Sequence, residues 1–316
     1  MSVSTKSCLR FDTNTKSFYR NAQYIYYKHI VGEVPQAKRI FKKTFGYDLN
    51  LNNPKTFTEK INYLKLYYAS EENAVLAGDK VGLHEFLKKK NVIDLTVPML
   101  NVVNSVKKIK WDRLPNQFVI KKSNASGFNL IVENRKKLCI EDLKEILVSW
   151  EKQVYGLTTA EPHYSKMPSR FIIEEYLPNI DRDWKIFFCN GEPCMVEAYL
   201  WDEQEKMIGH RKTVYITTDL QGKVLQIDAD EELLTESNSE YEALRYIDLP
   251  VQFDQMIEYG RILAAEFPFV RVDFFISDDR LFLGELTFTP AAGLDNYSEE
   301  IERWLGKKIR LPHEKK

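Results

Sequence analysis

The chain has 316 residues, 44% of them hydrophobic, and its 45 basic side chains against 46 acidic ones leave a formal net charge of -1. That length fits one large mixed domain or two to three subdomains with a sizeable core, and the balanced charge excludes a globally basic nucleic-acid binder, so a small-molecule partner is expected. The cysteines (Cys8, Cys139, Cys189, Cys194) show neither a CxxC pair nor histidines at zinc spacing, no run reaches the roughly 18 apolar residues of a membrane span, and the N-terminus lacks a signal-peptide core; a soluble protein of the reducing cytosol is expected.

In chain order, residues 1 to 17 are polar. From Phe18 to Phe45, aromatics (Phe18, Tyr19, Tyr24, Tyr26, Tyr27, Phe41, Phe45) mix with bases (Arg20, Lys28, Lys38, Arg39, Lys42, Lys43), and Gly32 and Pro35 divide the stretch into two short expected helices. Such a surface suits a membrane or an anionic glycan, or more plainly a satellite helical layer with snorkelling lysines. Thr56 with Glu59 forms a capping-box pattern, and Phe57, Ile61, Leu64 and Tyr68 follow at helical spacing. Asp79 is the expected N-cap of a further helix carrying Leu83, Phe86 and Leu87, with Lys80 at its start.

Asp94 to Val103 and Gln117 to Lys121 read as strands, and SNASGFN follows the second just past Lys122. Small residues there let backbone N–H groups approach a phosphate that Lys121 also reaches, although small-residue turns in plain hairpins are commoner and no GK[ST] follows to make a P-loop. Ile140 to Val154 is an expected helix with Leu143, Ile146, Leu147, Trp150 and Val154 on one side. Arg170 to Pro178 reads as a strand running into a linker between two halves. Trp184 to Cys189 and Pro193 to Leu200 are strands joined by Asn190-Gly191, a strong hairpin signal. Asp181-Arg182-Asp183 matches the DxD triplets that bind metal–nucleotide sugars, a pattern that also recurs by chance. Lys206 to Thr218 continues as a strand containing Arg211, Asp228 to Ser239 reads as a solvated acidic loop, and Phe253 to Phe267 as a helix.

The most informative stretch is FPFVRVDFFISDDRLFLGELTFT, Phe267 to Thr289. A three-residue loop of Asp278, Asp279 and Arg280 makes Ile276 and Phe282 neighbours and sets Asp273 opposite Glu285. Arg271, Asp273, Glu285 and Thr287 then share one face with Phe275 and Leu283, while Phe282 joins the apolar face. A two-residue turn splits the acids between faces. Opposed carboxylates are unfavourable unless a cation lies between them, and oxygen donors on rigid strands suit Mg²⁺; a solvated outer face with scattered charges is the plainer alternative. Because neither acid belongs to the apolar face, their removal is expected to leave the fold intact.

GDKVG with Lys80, FVIKKSNASGFN with Lys121, IIEEYLPN, DWKIFF and RVDFF...FLGELTF occur in the order expected of an ATP-grasp enzyme. LNNPKTFTEKINYLKLY, LPNQFVIK, FPFVRVDFF and GELTFTP resemble the TupA-like branch, associated with teichuronopeptide and other surface polysaccharide synthesis. The resemblance covers roughly residues 40 to 312. It implies an α+β ATP-grasp fold with a helical N-terminal extension (1–75), a small subdomain with the hinge (76–177) and a large subdomain with the metal site (178–316). It also implies ATP and Mg²⁺. Lys80, Lys121 and the loop residues Ser126 and Gly127 are expected near the ATP phosphates, Glu174, Glu175 and Leu177 at the adenine, Lys185, Arg211 and Arg271 at the γ-phosphate or acyl phosphate, and Asp273, Glu285 and Thr287 at the metal. Thr287 stands where many superfamily members have Asn, and Asn124, Ala125 and Phe128 depart from a glycine-richer loop. The implied reaction is amide formation between a carboxylate, on a uronic-acid-containing glycan or its precursor, and an amine, with peripheral contact to membrane-linked glycan.

Overall fold

Residues 9–11, 26, 30–180, 182–201, 213–229 and 244–312 are described by the computed structural model. They fold into two antiparallel sheets with helices against them, the expected α+β architecture. Helix α1 (Glu33–Phe45) is continuous where a break at Pro35 was expected, because a proline in the first turn forfeits only an N–H that has no helical partner. Helix α2 (Phe57–Tyr67) starts at the anticipated capping box: Thr56 Oγ1 accepts from the Glu59 N–H at 3.3 Å, and Glu59 Oε2 accepts from the Thr56 N–H at 3.2 Å. Helices α3 (Glu72–Gly78) and α4 (Gly82–Lys89) follow. Asp79 lies between them, its carboxylate accepting from the Gly82 N–H at 2.9 Å and pairing with Arg170.

The smaller sheet contains β1 (Leu9–Phe11), β2 (Met99–Val103), β3 (Phe118–Lys122), β4 (Asn129–Val132) and β5 (Phe171–Glu175), in the order β1-β4-β3-β5-β2. The strand expected from Asp94 begins only at Met99; Ile93–Leu95 is a short helical turn. One face of this sheet, with Phe118, Ile120, Leu130, Val132, Phe171 and Ile173, packs on Leu143, Ile146, Leu147 and Trp150 of α5 (Ile140–Glu151). That helix ends before Val154, which is exposed. Lys122 Nζ turns onto the end of α5 and donates to the carbonyls of Trp150 and Gln153, a satisfied cap for a helix C-terminus.

The larger sheet runs β11-β10-β6-β7-β8-β9, with β6 (Arg182–Cys189), β7 (Glu192–Trp201), β8 (Thr213–Thr218), β9 (Val224–Ala229), β10 (Phe269–Ser277) and β11 (Arg280–Thr287). Asp228, expected in a loop, lies in β9; most of the rest of that acidic stretch lies outside the described residues, as do Arg211 and Asp181. One face of the sheet buries Trp184, Ile186, Phe188, Val196, Val270, Val272, Phe274, Leu283 and Leu286 against α3, α4 and α6 (Phe253–Ala264). The opposite face is divided along its strands. At one end Phe187, Met195 and Phe269 pack under α2 and α7 (Glu299–Lys308); at the other end that face is polar and open to the smaller sheet.

Candidate active site

The β10–β11 hairpin reaches the expected pairing by a different route. Its turn has two residues, Asp278 and Asp279, both left-handed at φ 46° and 62°, as the commonest tight hairpin turns require. Ser277 pairs with Arg280, Ile276 with Leu281 and Phe274 with Leu283; one extra residue, Gly284, then forms a bulge, after which Asp273 pairs with Glu285. The bulge cancels the face change that a two-residue turn otherwise causes. Two side chains therefore exchange places relative to expectation: Leu283 lies in the core, and Phe282 stacks on Phe275 at 5.8 Å on the polar side.

A second bulge, between Phe187 and Phe188 in the β6–β7 hairpin, sets Lys185 opposite Glu197 beyond the left-handed Asn190-Gly191 turn. Together the ladders align one row across all six strands: Glu285, Asp273, Lys185, Glu197, Thr217 and Gln226. Asp273 is the hub. Arg271 Nε and Nη2 donate to its two oxygens at 2.7 and 2.6 Å, and Lys185 Nζ reaches Oδ2 at 2.8 Å. Glu285 faces Lys80 at 3.4 Å and Arg271 at 3.8 Å, and accepts from the Thr287 hydroxyl at 3.3 Å. Burial pushes the Glu285 carboxyl up, but the charges of Lys80, Lys185 and Arg271 overcome it and hold it at about 2.

The smaller sheet contributes Lys121, which pairs with Glu174 at 2.6 Å on the face away from α5. Lys80 Nζ also donates to the Ala125 carbonyl at 2.8 Å, fixing the β3–β4 loop above the site. That loop closes the β3–β4 hairpin, the plainer reading of SNASGFN, and leaves Ser126 and Gly127 exposed. A cavity of about 190 Å³ lies among Lys80, Lys121, Asn129, Asp183, Lys185, Asp273 and Glu285. It is smaller than the 300 Å³ or so at which whole-ligand pockets begin. Four cations, Lys80, Lys121, Lys185 and Arg271, here face four anions, Glu174, Asp183, Asp273 and Glu285, in mutual ion pairs. Glu175 and Leu177 lie at the start of the 176–181 connection between the sheets, and this connection is tied to the β10–β11 turn by Ser277 Oγ donating to the Pro178 carbonyl at 2.6 Å and Asn179 Nδ2 to Asp278 at 2.9 Å.

Among the described residues no group of three or more His, Cys, Asp or Glu side chains is arranged to hold a metal. The donor set of Asp273, Glu285 and Thr287 nevertheless fits Mg²⁺, which takes hard oxygen ligands, commonly one or two carboxylates, and completes its shell with water and phosphate. Glu197 was not anticipated. It is buried, accepts from the Tyr297 hydroxyl, and burial raises its carboxyl to about 7 despite Arg271 nearby. Its neighbour Tyr199 lies 4.4 Å from Lys185 Nζ, ring face toward the ammonium. After β11 the backbone passes through left-handed Ala291 and Ala292, at φ 41° and 59°. Lys65 Nζ holds the Ala292 carbonyl at 2.7 Å, and Asn62 Nδ2 holds that of Gly293 at 2.7 Å. Such strain persists only where its surroundings enforce it.

Residues 59–310 match the family model described as TupA-like ATPgrasp. The chain belongs to that family. No curated protein matches the chain. Among solved structures it is similar to an L-amino acid ligase from Bacillus licheniformis, at 12% identity and TM-score 0.46 over 88% of this chain and 62% of that one. It is similar also to a D-alanine–D-alanine ligase from Bacillus anthracis, at 13% identity and TM-score 0.40 over 68% and 58%, and to a phosphoribosylamine–glycine ligase from Thermotoga maritima, at 14% and 0.42 over 71% and 52%. This ATP-grasp chain thus spans between half and two thirds of the length of those proteins. No helix among the described residues is long and apolar enough to cross a membrane.

Proposed function

We propose that the chain is an ATP-dependent carboxylate–amine ligase whose acid is a uronic-acid-containing surface glycan or its precursor and whose amine is an amino acid or amino sugar. The observation that carries this reading is the direct opposition of Asp273 and Glu285 within a ring of Lys80, Lys185 and Arg271, in a chain of the TupA-like ATP-grasp family. The two sheets act as jaws on the nucleotide, residues 76–177 carrying the smaller apart from its edge strand β1 and 178–316 the larger, with the remainder of residues 1–75 as a helical extension. Leu177, in the connection between the jaws, offers backbone groups to the adenine, and Glu174 and Glu175 at the end of β5 offer their side chains.

Lys80 and Lys121 exchange their carboxylate partners for phosphate oxygens and relieve phosphate repulsion, with Ser126 and Gly127 closing over them. Asp273, Glu285 and Thr287 would hold Mg²⁺, which when bound would supply positive charge to offset that of the phosphates. Lys185 and Arg271, joined by Arg211, stabilise the transferring phosphoryl group as it passes to the carboxylate oxygen. The amine nitrogen then attacks the acyl carbon, phosphate leaves, and the amine gives up a proton. Activation is needed because a carboxylate is a poor electrophile. We place the reaction in the cytoplasm, in peripheral contact with membrane-linked glycan.

Mass spectrometry of products from the purified protein with ATP, Mg²⁺ and panels of uronic acids and amines tests this. Amide with ADP is the expected result. Phosphoester with ADP replaces the ligase by a phosphotransferase acting on a hydroxyl, and no ADP with any pair leaves a non-catalytic nucleotide-binding partner in glycan assembly.

A further inference from the structure

A second and larger hollow lies away from the polar row. It measures about 730 Å³ and its lining includes the aromatic side chains Tyr63, Tyr67 and Tyr68 and the acids Glu71, Glu72 and Glu266, within the range of small-molecule sites. The tyrosines form an aromatic wall at the end of α2, with the rings of Tyr63 and Tyr67 4.9 Å apart. Tyr67 is 52% exposed. Core packing does not require a tyrosine there.

The lining is also anionic. Glu266 is matched by Lys90 at 2.8 Å and by Asn73 Nδ2 at 2.7 Å. Glu71 and Glu72 are exposed, and among the described residues no lysine or arginine lines the hollow. Aromatic rings and carboxylates in one lining favour a cation by cation–π attraction and direct pairing, and disfavour an anion. Asn52 and Asn73 add amide donors and acceptors suited to hydroxyl groups.

The shape extends the ligand. A neighbouring hollow of about 580 Å³ shares Glu72 and runs beside α3 to Asp79, with Glu85, Lys166 and Arg170 also on its lining, so the ammonium belongs in the first hollow and the hydroxyls in this one. Glu72 opens α3 and Lys80 lies just beyond its end, so the hollow and the polar row stand at opposite ends of one short helix. An elongated ligand with flat, partly apolar rings, hydroxyls and an ammonium matches this trough better than a compact ion.

We infer that the tyrosine-walled hollow beside α3 is a binding site for an amine-bearing saccharide, separate from the nucleotide cleft. This does not depend on the ligase reading. The test is calorimetric titration of the full chain with the β-1,4 disaccharide of glucosamine, below the pKa of its amines, against its N-acetylated form and digalacturonic acid. Binding of the amino disaccharide is expected. N-acetylation should weaken it roughly tenfold, and the diuronate should not bind. Tyr67→Ala and Glu72→Gln should each weaken binding at least severalfold without changing the melting temperature, and saturating Mg·ATP should not compete. No binding of the amino disaccharide, equal binding of all three probes, binding unaffected by both substitutions, or competition by ATP overturns the proposal. So does self-association that disappears in Tyr67→Ala without any saccharide binding, which reassigns the face to a contact between copies of the chain.

Discussion

Asp273 and Glu285 are alike as acids and differ as probes. Asp273 is buried and satisfies two buried cations, Arg271 and Lys185, so its loss leaves uncompensated charge; breaking such a pair costs about 3 kcal/mol or more. The expectation that its removal spares the fold is therefore corrected: Asp273→Asn should lower the melting temperature clearly, in calorimetry or circular dichroism. Glu285, one-third exposed at its side chain, is the cleaner site. Glu285→Gln should lower the melting temperature less than Asp273→Asn does and lose Mg²⁺-dependent ADP release, and retention of that release would remove the metal assignment.

Glu197 gives a pH signature. Its folded value of about 7 exceeds the ordinary 4.5, so between these pH values the native state binds more protons than the unfolded chain. Its contribution is fully present below about pH 4.5 and is lost as pH rises through 7. At 1.36 kcal/mol per unit this amounts to about 3 kcal/mol. The stability difference between wild type and Glu197→Gln, from urea unfolding at several pH values, should shift against the wild type by that order between pH 5 and 8; a constant difference would contradict the burial argument.

At the scale of elements, most strands and the main helices were legible because period-2 and period-3.6 patterns directly encode burial. The site was half legible. Asp273 opposite Glu285 was anticipated, yet from a three-residue loop; the actual register combines a two-residue turn with a bulge at Gly284. Glu197 was illegible for the same reason: unbroken pairing from the Asn190-Gly191 turn places Val196 opposite Lys185, and only the bulge near Phe188 brings in Glu197. Single-residue bulges leave no periodic trace and still decide which side chains share a face. Helix α6 was read from its apolar stripe, and its Gly260 has a packing reason. A Cβ there overlaps the ring of Phe188, which is fully buried. Gly260→Ala should cost about 2 kcal/mol of overpacking, measured by denaturant unfolding, with nucleotide affinity unchanged. Wild-type stability in that variant would mean that α6 is not seated as described.

Across the whole molecule, the two sheets meet at a site whose fixed charges neutralise one another. Lys80, Lys121, Lys185 and Arg271 each hold a carboxylate that a nucleotide phosphate or a metal would displace, so nucleotide and Mg²⁺ are expected to bind together, each compensating the charge the other disturbs. The direct measurement is calorimetric titration of ATP into the wild type with and without Mg²⁺, and into Glu285→Gln and Lys80→Met. The expected result is tighter binding with Mg²⁺, an affinity at least tenfold lower in Lys80→Met, and loss of the Mg²⁺ effect in Glu285→Gln. Equal ATP affinity in all three proteins, with or without the metal, would contradict the placement of the nucleotide between the sheets.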